Sequence, residues 1–334
     1  MITVIVPCYN AAPYIDECIA SLKNQDSEDF EVVLVDDGSV DDTSHRIDLL
    51  IAEDKRFRLI RMEHRGVSAA RNRAIEEARG GYLSFVDADD RVRPGYVSTL
   101  WRECNGGEMD LVVQSLRRVS SSDSVDIAIK NEGAYQLATS YESVFESMDM
   151  ASMGSACGKL FKKELIEKHR IRFHEDLRMC EDQNFVIRYL SEASSVFLSR
   201  EVNYLYLHRS HSSSMRLCNF EEEAASFERM NPDWHHLLTR FSCRALQDAY
   251  SEFVGSYVHR ILYTALNHPL HQGPGKRWKS DFELKILPVY KQFYHPKTRF
   301  TRLLHLCVSR GMYIAFNASM KFAGWRYSIA YSFI

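Results

Sequence analysis

Short apolar runs and longer stretches of helical periodicity alternate through the first ninety residues. Ile2 to Pro7 reads as a first strand. Asn10 to Asn24 reads as a helix, with Pro13 in its opening turn and Tyr14, Ile15, Cys18, Ile19 and Leu22 at helical spacing. Phe30 to Val35 is a second strand that runs into Asp36-Asp37-Gly38-Ser39. The next helix puts Ile47, Leu50 and Ile51 on one face and takes Ser39 or Asp41 as its cap. Phe57 to Arg61 is a third strand, and Ser68 to Arg79 an alanine-rich helix closed by Gly80-Gly81. Tyr82 to Val86 is then a buried strand entering Asp87. Farther on, Leu111 to Gln114 reads as a strand, Ser120 to Asp123 as a polar loop and Gly133 to Gln136 as a strand edge. Residues 154–214 are mixed, and Glu221 to Leu270 is helical, with Phe253, Tyr257, Ile261 and Leu262 as anchors. The alternation predicts an α/β fold with a doubly wound, mixed but mostly parallel sheet and a helical C-terminal extension.

Ligands of such sheets bind outside the carboxyl ends of the strands. Pro7-Cys8-Tyr9-Asn10, Asp36-Asp37 and Asp87-Ala88-Asp89 all fall there, on one rim. The last is the most charged: Asp87, Asp89 and Asp90 crowd three carboxylates into four residues. Such groups repel one another and lose hydration unless something offsets the cost. A hard dication, Mn²⁺ or Mg²⁺, does so with one or two carboxylates and substrate phosphates. The ordinary alternative is an acidic loop, with Asp90 as the N-cap of a helix before Pro94. A nucleotide diphosphate would account for the rim as a whole. Asp37 can accept the N3–H of a uracil, and Arg71 can face phosphate or base beside a helix N-terminus. Asp87 can hold ribose hydroxyls while Asp89 holds the metal. Singly, Asp37-Gly38 is a turn and Arg71 a surface residue paired with Glu76 or Glu77; four strand-end features in order favour the nucleotide.

Val4-Ile5-Val6-Pro7-Cys8-Tyr9-Asn10, Val35-Asp36-Asp37-Gly38-Ser39, Gly66-Val67-Ser68-Ala69-Ala70-Arg71-Asn72 and Phe85-Val86-Asp87-Ala88-Asp89-Asp90 together resemble glycosyltransferase family 2. The resemblance spans roughly the first third of the chain. It implies a GT-A fold, a nucleotide-sugar donor, a divalent cation and inversion at the anomeric carbon. By the same resemblance Pro7, Tyr9, Asp37, Arg71, Asp87 and Ala88 line the donor site and Asp89 binds the metal. Met179-Cys180-Glu181-Asp182-Gln183-Asn184-Phe185 is similar to the family's Glu-Asp pair, whose Asp, here Asp182, is the base. A carboxylate taking the acceptor hydroxyl's proton typically contributes 10²–10⁴-fold. Two acids at a helix N-terminus are the structural alternative, and Glu181 is the internal rival. Gly158 to Ile166, including Lys159, and Tyr204 to Ser214, including His208, Arg209 and Ser212, resemble acceptor-side or phosphate-side segments of bacterial surface-polysaccharide enzymes. Leu207 stands where that pattern often has Arg, and an edge strand is the alternative for this segment.

Composition changes the picture in three places. The eight cysteines are scattered without C-x-x-C spacing, which argues for reduced thiols in a cytosol and against zinc or a disulfide framework. No apolar run is long enough to span a bilayer, and no basic region precedes the first strand, so neither a transmembrane helix nor a signal peptide is expected. Charge is uneven: from residue 270 onward eleven bases accompany two acids, a segment of +9 in a chain of net charge −3. With Leu303 to Val308, Met312 to Phe316 and Trp325, Tyr327, Tyr331 and Phe333, this tail suits either a membrane interface or packing on the catalytic domain. The expected organisation is a catalytic domain over 1–217, with a nucleotide-binding half to 100 and an acceptor-side half from 101, and a helical region over 218–334.

The expected activity is hexosyl or N-acetylhexosaminyl transfer from a nucleotide-diphosphate sugar, with UDP favoured, to a lipid-linked saccharide in surface-polysaccharide assembly. The expected place is the cytoplasm, peripheral on the membrane, with no nucleic acid as partner. A sugar nucleotidyltransferase would want a glycine-rich loop after the first strand, and an oxidoreductase G-x-G-x-x-G; neither is present. A non-catalytic nucleotide or saccharide binder is the reading from another class, disfavoured by the intact Asp87, Asp89 and Asp182.

Overall fold

The computed structural model describes residues 1–121, 123–148, 150, 154–177, 179–208, 219–267 and 278–322. The chain divides into two compact units. The first takes Met1–Met148, Ser155–Glu175 and Glu181–Ser212; the second takes Asp149–Gly154, Asp176–Cys180 and Ser213–Ile334.

The first unit opens with β1 (Ile2–Cys8), α1 (Ile15–Lys23), β2 (Phe30–Asp36), α2 (Thr43–Ile51), β3 (Phe57–Arg61), α3 (Val67–Glu77) and β4 (Tyr82–Phe85). β1 and β2 are buried along their whole lengths, as parallel strands covered on both faces must be, and this is why they read as unbroken apolar runs. Strand order β3-β2-β1-β4 is parallel throughout, and Cys8 pairs with Asp36, so the first two strand-end loops start level.

α1 begins five residues later than its pattern suggests. The N–H groups of Asn10, Ala11 and Ala12 donate instead to Ser39 Oγ (2.9 Å), Thr43 Oγ1 (2.7 Å) and Asp41 Oδ2 (3.2 Å), so the β1 loop is tied to the β2 loop. Of the two cap candidates, Asp41 accepts from the Thr43 N–H, while the Ser39 hydroxyl donates to Asp36.

The unit continues with β5 (Arg91–Val92), α4 (Tyr96–Glu103), β6 (Leu111–Val119), β7 (Ser124–Ile127), β8 (Gly133–Gln136), α5 (Leu137–Ser147), β9 (Lys159–Lys162), α6 (Lys163–Lys168), α7 (Glu181–Leu190) and β10 (Ser195–Leu207). β9 runs antiparallel between β4 and β6, and β6 lies parallel to the long β10. The ten strands form one mixed sheet in which the longest pairings are parallel, as expected. The expected polar loop at Ser120 to Asp123 joins β6 to β7, and β8 is the expected edge. Tyr204 to Leu207, weighed as an edge strand, instead lies in β10 with β6 on one side and β5 on the other at Tyr204 and Leu205. Under the rim Phe85, Phe161, Phe173 and Phe185 form one aromatic cluster, with Phe173 stacked on Phe185 at 4.2 Å. It binds β4, β9, α7 and the 171–175 segment into one rigid base.

The second unit holds α8 (Phe220–Arg240), α9 (Arg244–Asn267), α10 (Trp278–Asp281), a π-helical turn (Phe282–Ile286), α11 (Leu287–Phe293), α12 (Arg299–Ser309) and α13 (Tyr313–Phe322). α8 starts on a capping box, Asn219 with Glu222. Phe227 and Trp234 pack on Tyr250, Phe253 and Tyr257 of α9. Inside this layer Arg260 and Glu223 form a buried ion pair at 2.7 Å. Gly255 admits the Tyr294 ring so closely that a Cβ there would lie 2.0 Å from Cε2. Part of the apolar tail turns inward: Leu304, Cys307, Val308, Tyr313, Phe316 and Met320 are buried. No helix among the described residues is long and apolar enough to cross a membrane.

Candidate active site

Three strand ends meet on the rim, as the pattern predicts. After β1, Asn10 takes φ 48°, a conformation uncommon for a residue other than glycine, and its side-chain oxygen accepts from the Val40 N–H. After β2, the buried Asp37 carboxylate accepts from the Arg65 N–H, the Gly66 N–H and His64 Nδ1, each at 2.8 Å. Gly38 fits beneath that loop because a Cβ would lie 2.8 Å from His64 N, and its φ of 71° suits glycine. Asp37 thereby fixes His64, whose ring stacks on Tyr9 at 4.1 Å. A carboxylate offers about four lone-pair sites, so one remains on Oδ1 after these three bonds. His64 and Asn10 are parts of this wall that the sequence reading left without a role; the only signal was His64's place between an anchored strand and Gly66.

At the end of β4 the three carboxylates separate by environment. Asp87 and Asp89 are half-buried in a turn closed by the Asp90 N–H on Asp87 O (3.0 Å). Asp90 is not a helix cap. It is fully buried, and its carboxylate accepts from the Tyr204 hydroxyl (2.6 Å) and the Leu207 N–H (2.8 Å). Burial and the neighbouring Asp89 and Asp87 push its pKa well up. Its task is to lock β10 to the turn, and Tyr204 also accepts from the Asp87 N–H. Ala88 is buried between the two exposed-side acids, and Pro7 is buried in β1.

Arg71 pairs with neither Glu76 nor Glu77. Its guanidinium, buried over the Phe173 ring at 5.1 Å, donates to Asp87 Oδ1 and to Glu181 Oε1, both at 2.9 Å. It therefore joins the turn after β4 to the first residue of α7. Asn72 ties α3 to the 171–175 segment by donating to Phe173 O (2.8 Å) and accepting from the Phe173 N–H (2.9 Å). Cys180, just before α7, has φ 60°, backbone strain of the kind that collects at functional sites.

Asp182 follows Glu181 and accepts from the Gln183 N–H at 2.7 Å. Burial and then the Glu181 charge push its pKa up to about 7, against the pull of Arg71. Lys159 is fully buried, and its ammonium donates to Ser155 O (2.5 Å) and Cys157 O (3.3 Å), closing the turn before β9. Burial pushes it down to about 8, with Cys157 and Asp182 pulling the other way. His208 donates its N–H to Val119 O. Arg209 and Ser212 lie outside the described residues.

Among the described residues no three His, Cys, Asp or Glu side chains converge as a metal cage. What the turn offers is one or two half-buried carboxylates, with the third acid turned inward. That donor set fits a hard dication completed by substrate phosphates and water, and does not fit a closed structural site.

The chain is 29% identical over 269 residues to the uncharacterized glycosyltransferase EpsJ of Bacillus subtilis, covering 78% of this chain and 75% of that protein. It is 28% identical over 177 residues to the GalNAc(5)-diNAcBac-PP-undecaprenol beta-1,3-glucosyltransferase of Campylobacter jejuni, covering 52% of this chain and 55% of that one. In structure it is similar to residues 1-349 of S. aureus TarS in complex with UDP-GlcNAc, with a TM-score of 0.68, 20% identity and coverage of 97% and 91%. This likeness supports the GT-A fold. The Glycosyl transferase family 2 model matches residues 3–170, which carry the strand-end loops, Arg71 and Lys159, and the chain belongs to that family.

Proposed function

We propose that this glycosyltransferase moves a hexosyl or N-acetylhexosaminyl group from a UDP-sugar to a saccharide hydroxyl with inversion. The proposed acceptor is lipid-linked, and the proposed setting is surface-polysaccharide assembly on the cytoplasmic side of the membrane. The observation that carries the mechanism is the Arg71 bridge, which holds Asp87 on the donor side and Glu181, next to Asp182, on one cation. The TarS complex supports the choice of UDP-sugar, and the undecaprenol-linked name of the Campylobacter relative supports the acceptor class.

Residues 1–217 carry the chemistry in this reading, with donor binding before residue 101 and acceptor binding after it. Tyr9, Pro7 and the last lone pair of Asp37 receive the base, and Asp87 and Ala88 border the ribose and diphosphate. Asp89 would hold Mn²⁺ or Mg²⁺, which supplies positive charge to the diphosphate as it leaves. Asp182 takes the acceptor O–H proton while that oxygen bonds to the anomeric carbon. The bond from that carbon to the diphosphate breaks on the opposite face, and its electron pair leaves with UDP. Lys159 acts through the 155–157 turn and through its charge near Asp182; Arg209 and Ser212 belong to the acceptor or phosphate side.

NMR of the first-formed glycoside, with a panel of nucleotide sugars and with and without EDTA, tests the reading. UDP-sugar use, inverted anomeric configuration and loss of turnover in EDTA are the expected results. Retention, or a preference for GDP- or CMP-sugars, would overturn it.

A further inference from the structure

The helical unit carries a surface that the transfer chemistry does not use. On α12, Leu304, Cys307 and Val308 are buried, while Arg299, Arg302, Leu303, Leu306 and Arg310 face water. Those five recur at intervals of three and four, so they form one stripe along the helix. Met312, in the turn that follows, and Ile314, in the first turn of α13, are exposed as well, Ile314 at 86%. Four of the eleven exposed large apolar side chains among the described residues thus fall between 303 and 314, a clustering that scattered surface residues do not show. Along the sequence their surroundings are basic, Leu284 to Ile334 holding eight bases and no acid, while Glu283 meets Tyr313 and Glu252 meets Lys297. Among the described residues Arg299, Arg302 and Arg310 form no ion pair.

We propose that this α12–α13 stripe is a docking surface for an anionic lipid bilayer. Alternating arginine and leucine on one exposed face meets both demands of a membrane interface. The apolar side chains enter the acyl boundary, and the arginines extend their stems to keep the guanidinium among the phosphates. A nucleic acid would satisfy the arginines and leave Leu303, Leu306 and Ile314 in water. A protein partner would have to bring both an apolar face and acids. The surface belongs to the helical unit and stands whether or not the proposed donor and acceptor are correct.

Sedimentation of the full-length chain with vesicles tests it. Binding to phosphatidylglycerol-rich vesicles at low salt, weakening at high salt, and no binding to phosphatidylcholine are expected. Arg302→Gln with Arg310→Gln should weaken binding roughly 30-fold, from about 1 kcal/mol for each base near the surface. Leu303→Glu with Ile314→Glu should abolish it without changing Tm, and Leu49→Glu, at an exposed site in the first unit, should leave it intact. Three outcomes overturn the proposal. One is no vesicle binding. Another is retention on heparin with vesicle binding indifferent to the leucine substitutions, which would assign the face to a nucleic acid. The last is a dimer that the same substitutions convert to monomer, which would assign it to a second copy.

Discussion

The rim of the first unit and the interior of the helical unit both contain charged groups out of water, but they hold them differently. At the rim, Arg71 joins Asp87 to Glu181, Asp37 gathers three donors from residues 64–66, Asp90 takes two from β10, and Asp87 and Asp89 keep one side toward solvent. In the helical unit, Arg260 and Glu223 are both buried, with the guanidinium over the Tyr257 ring at 4.3 Å, and His259 sits within 2.8 Å of the Tyr290 hydroxyl with both residues buried. A group that keeps one side toward solvent, as Asp87 and Asp89 do, can change its charge and be resolvated locally. A dry pair cannot, because the abandoned partner has no water to turn to. The rim is therefore where substitutions should alter chemistry, and the helical unit where they should alter stability.

The sharpest way to break that contrast is Asp182→Asn. It keeps the shape and removes the base, so kcat should fall by roughly 10²–10⁴ while donor binding persists. Tm above neutral pH should hold or rise, since a carboxylate that resists ionisation is gone. Glu181→Gln should be much milder in kcat, because it weakens the Arg71 bridge without removing a base. If it were the dead variant, the assignment would be reversed.

Glu223→Gln should do the reverse. Leaving Arg260 buried without a full counter-charge costs about 3–5 kcal/mol, read as a lowered denaturation midpoint with kcat unchanged at low temperature. Asp37→Ala lies between the two. The loss of bonds to an ionised group typically costs about 1.5–3 kcal/mol, and here it should appear both as a raised KM for the UDP-sugar and as a lower Tm, because the 64–66 loop loses its acceptor. An effect on KM alone would mean that Asp37 acts only on the base. Gly255→Ala drives a methyl into the Tyr294 ring and should destabilise by about 1–3 kcal/mol without touching KM.

pH separates the regions with opposite signs. Asp182 must be ionised to act, so kcat/KM should rise through about pH 7, and Arg71→Met should move that limb upward by removing the cation that opposes the shift. Its folded-state pKa lies above the usual carboxylate range, so its contribution to stability is present at low pH and is lost as pH rises through 7. Burial lowers His259 to about 3. Its contribution is present above its ordinary pKa near 6.5 and is lost as pH falls toward 3. Acid melts should show the helical unit giving way first, with His259→Phe blunting the loss; an unchanged acid midpoint in that variant would refute the assignment.

Local pattern determined much of this. Buried parallel strands must be apolar along their length, so β1, β2, β4 and the rim at their ends are visible as runs that stop at Asn10, Asp36 and Asp87. The order of those stops, with the Gly66 to Asn72 stretch that holds Arg71, carried the family. What each acid does was settled by contacts between residues far apart in the chain. Asp87, Asp89 and Asp90 are near-equivalent as letters, and only the approach of Tyr204 and Leu207, 114 and 117 residues away, turns Asp90 inward. Arg71 has acids five and six residues away at Glu76 and Glu77, yet its partner Glu181 lies 110 residues on. The tail's leucines carry no mark saying which face will be buried; α12 splits Leu303 from Leu304 because packing happens on one side of a helix only. Hydrophobic periodicity is a property of neighbours in sequence, whereas the partner of a buried charge is chosen by whatever the fold brings within about 3 Å of it.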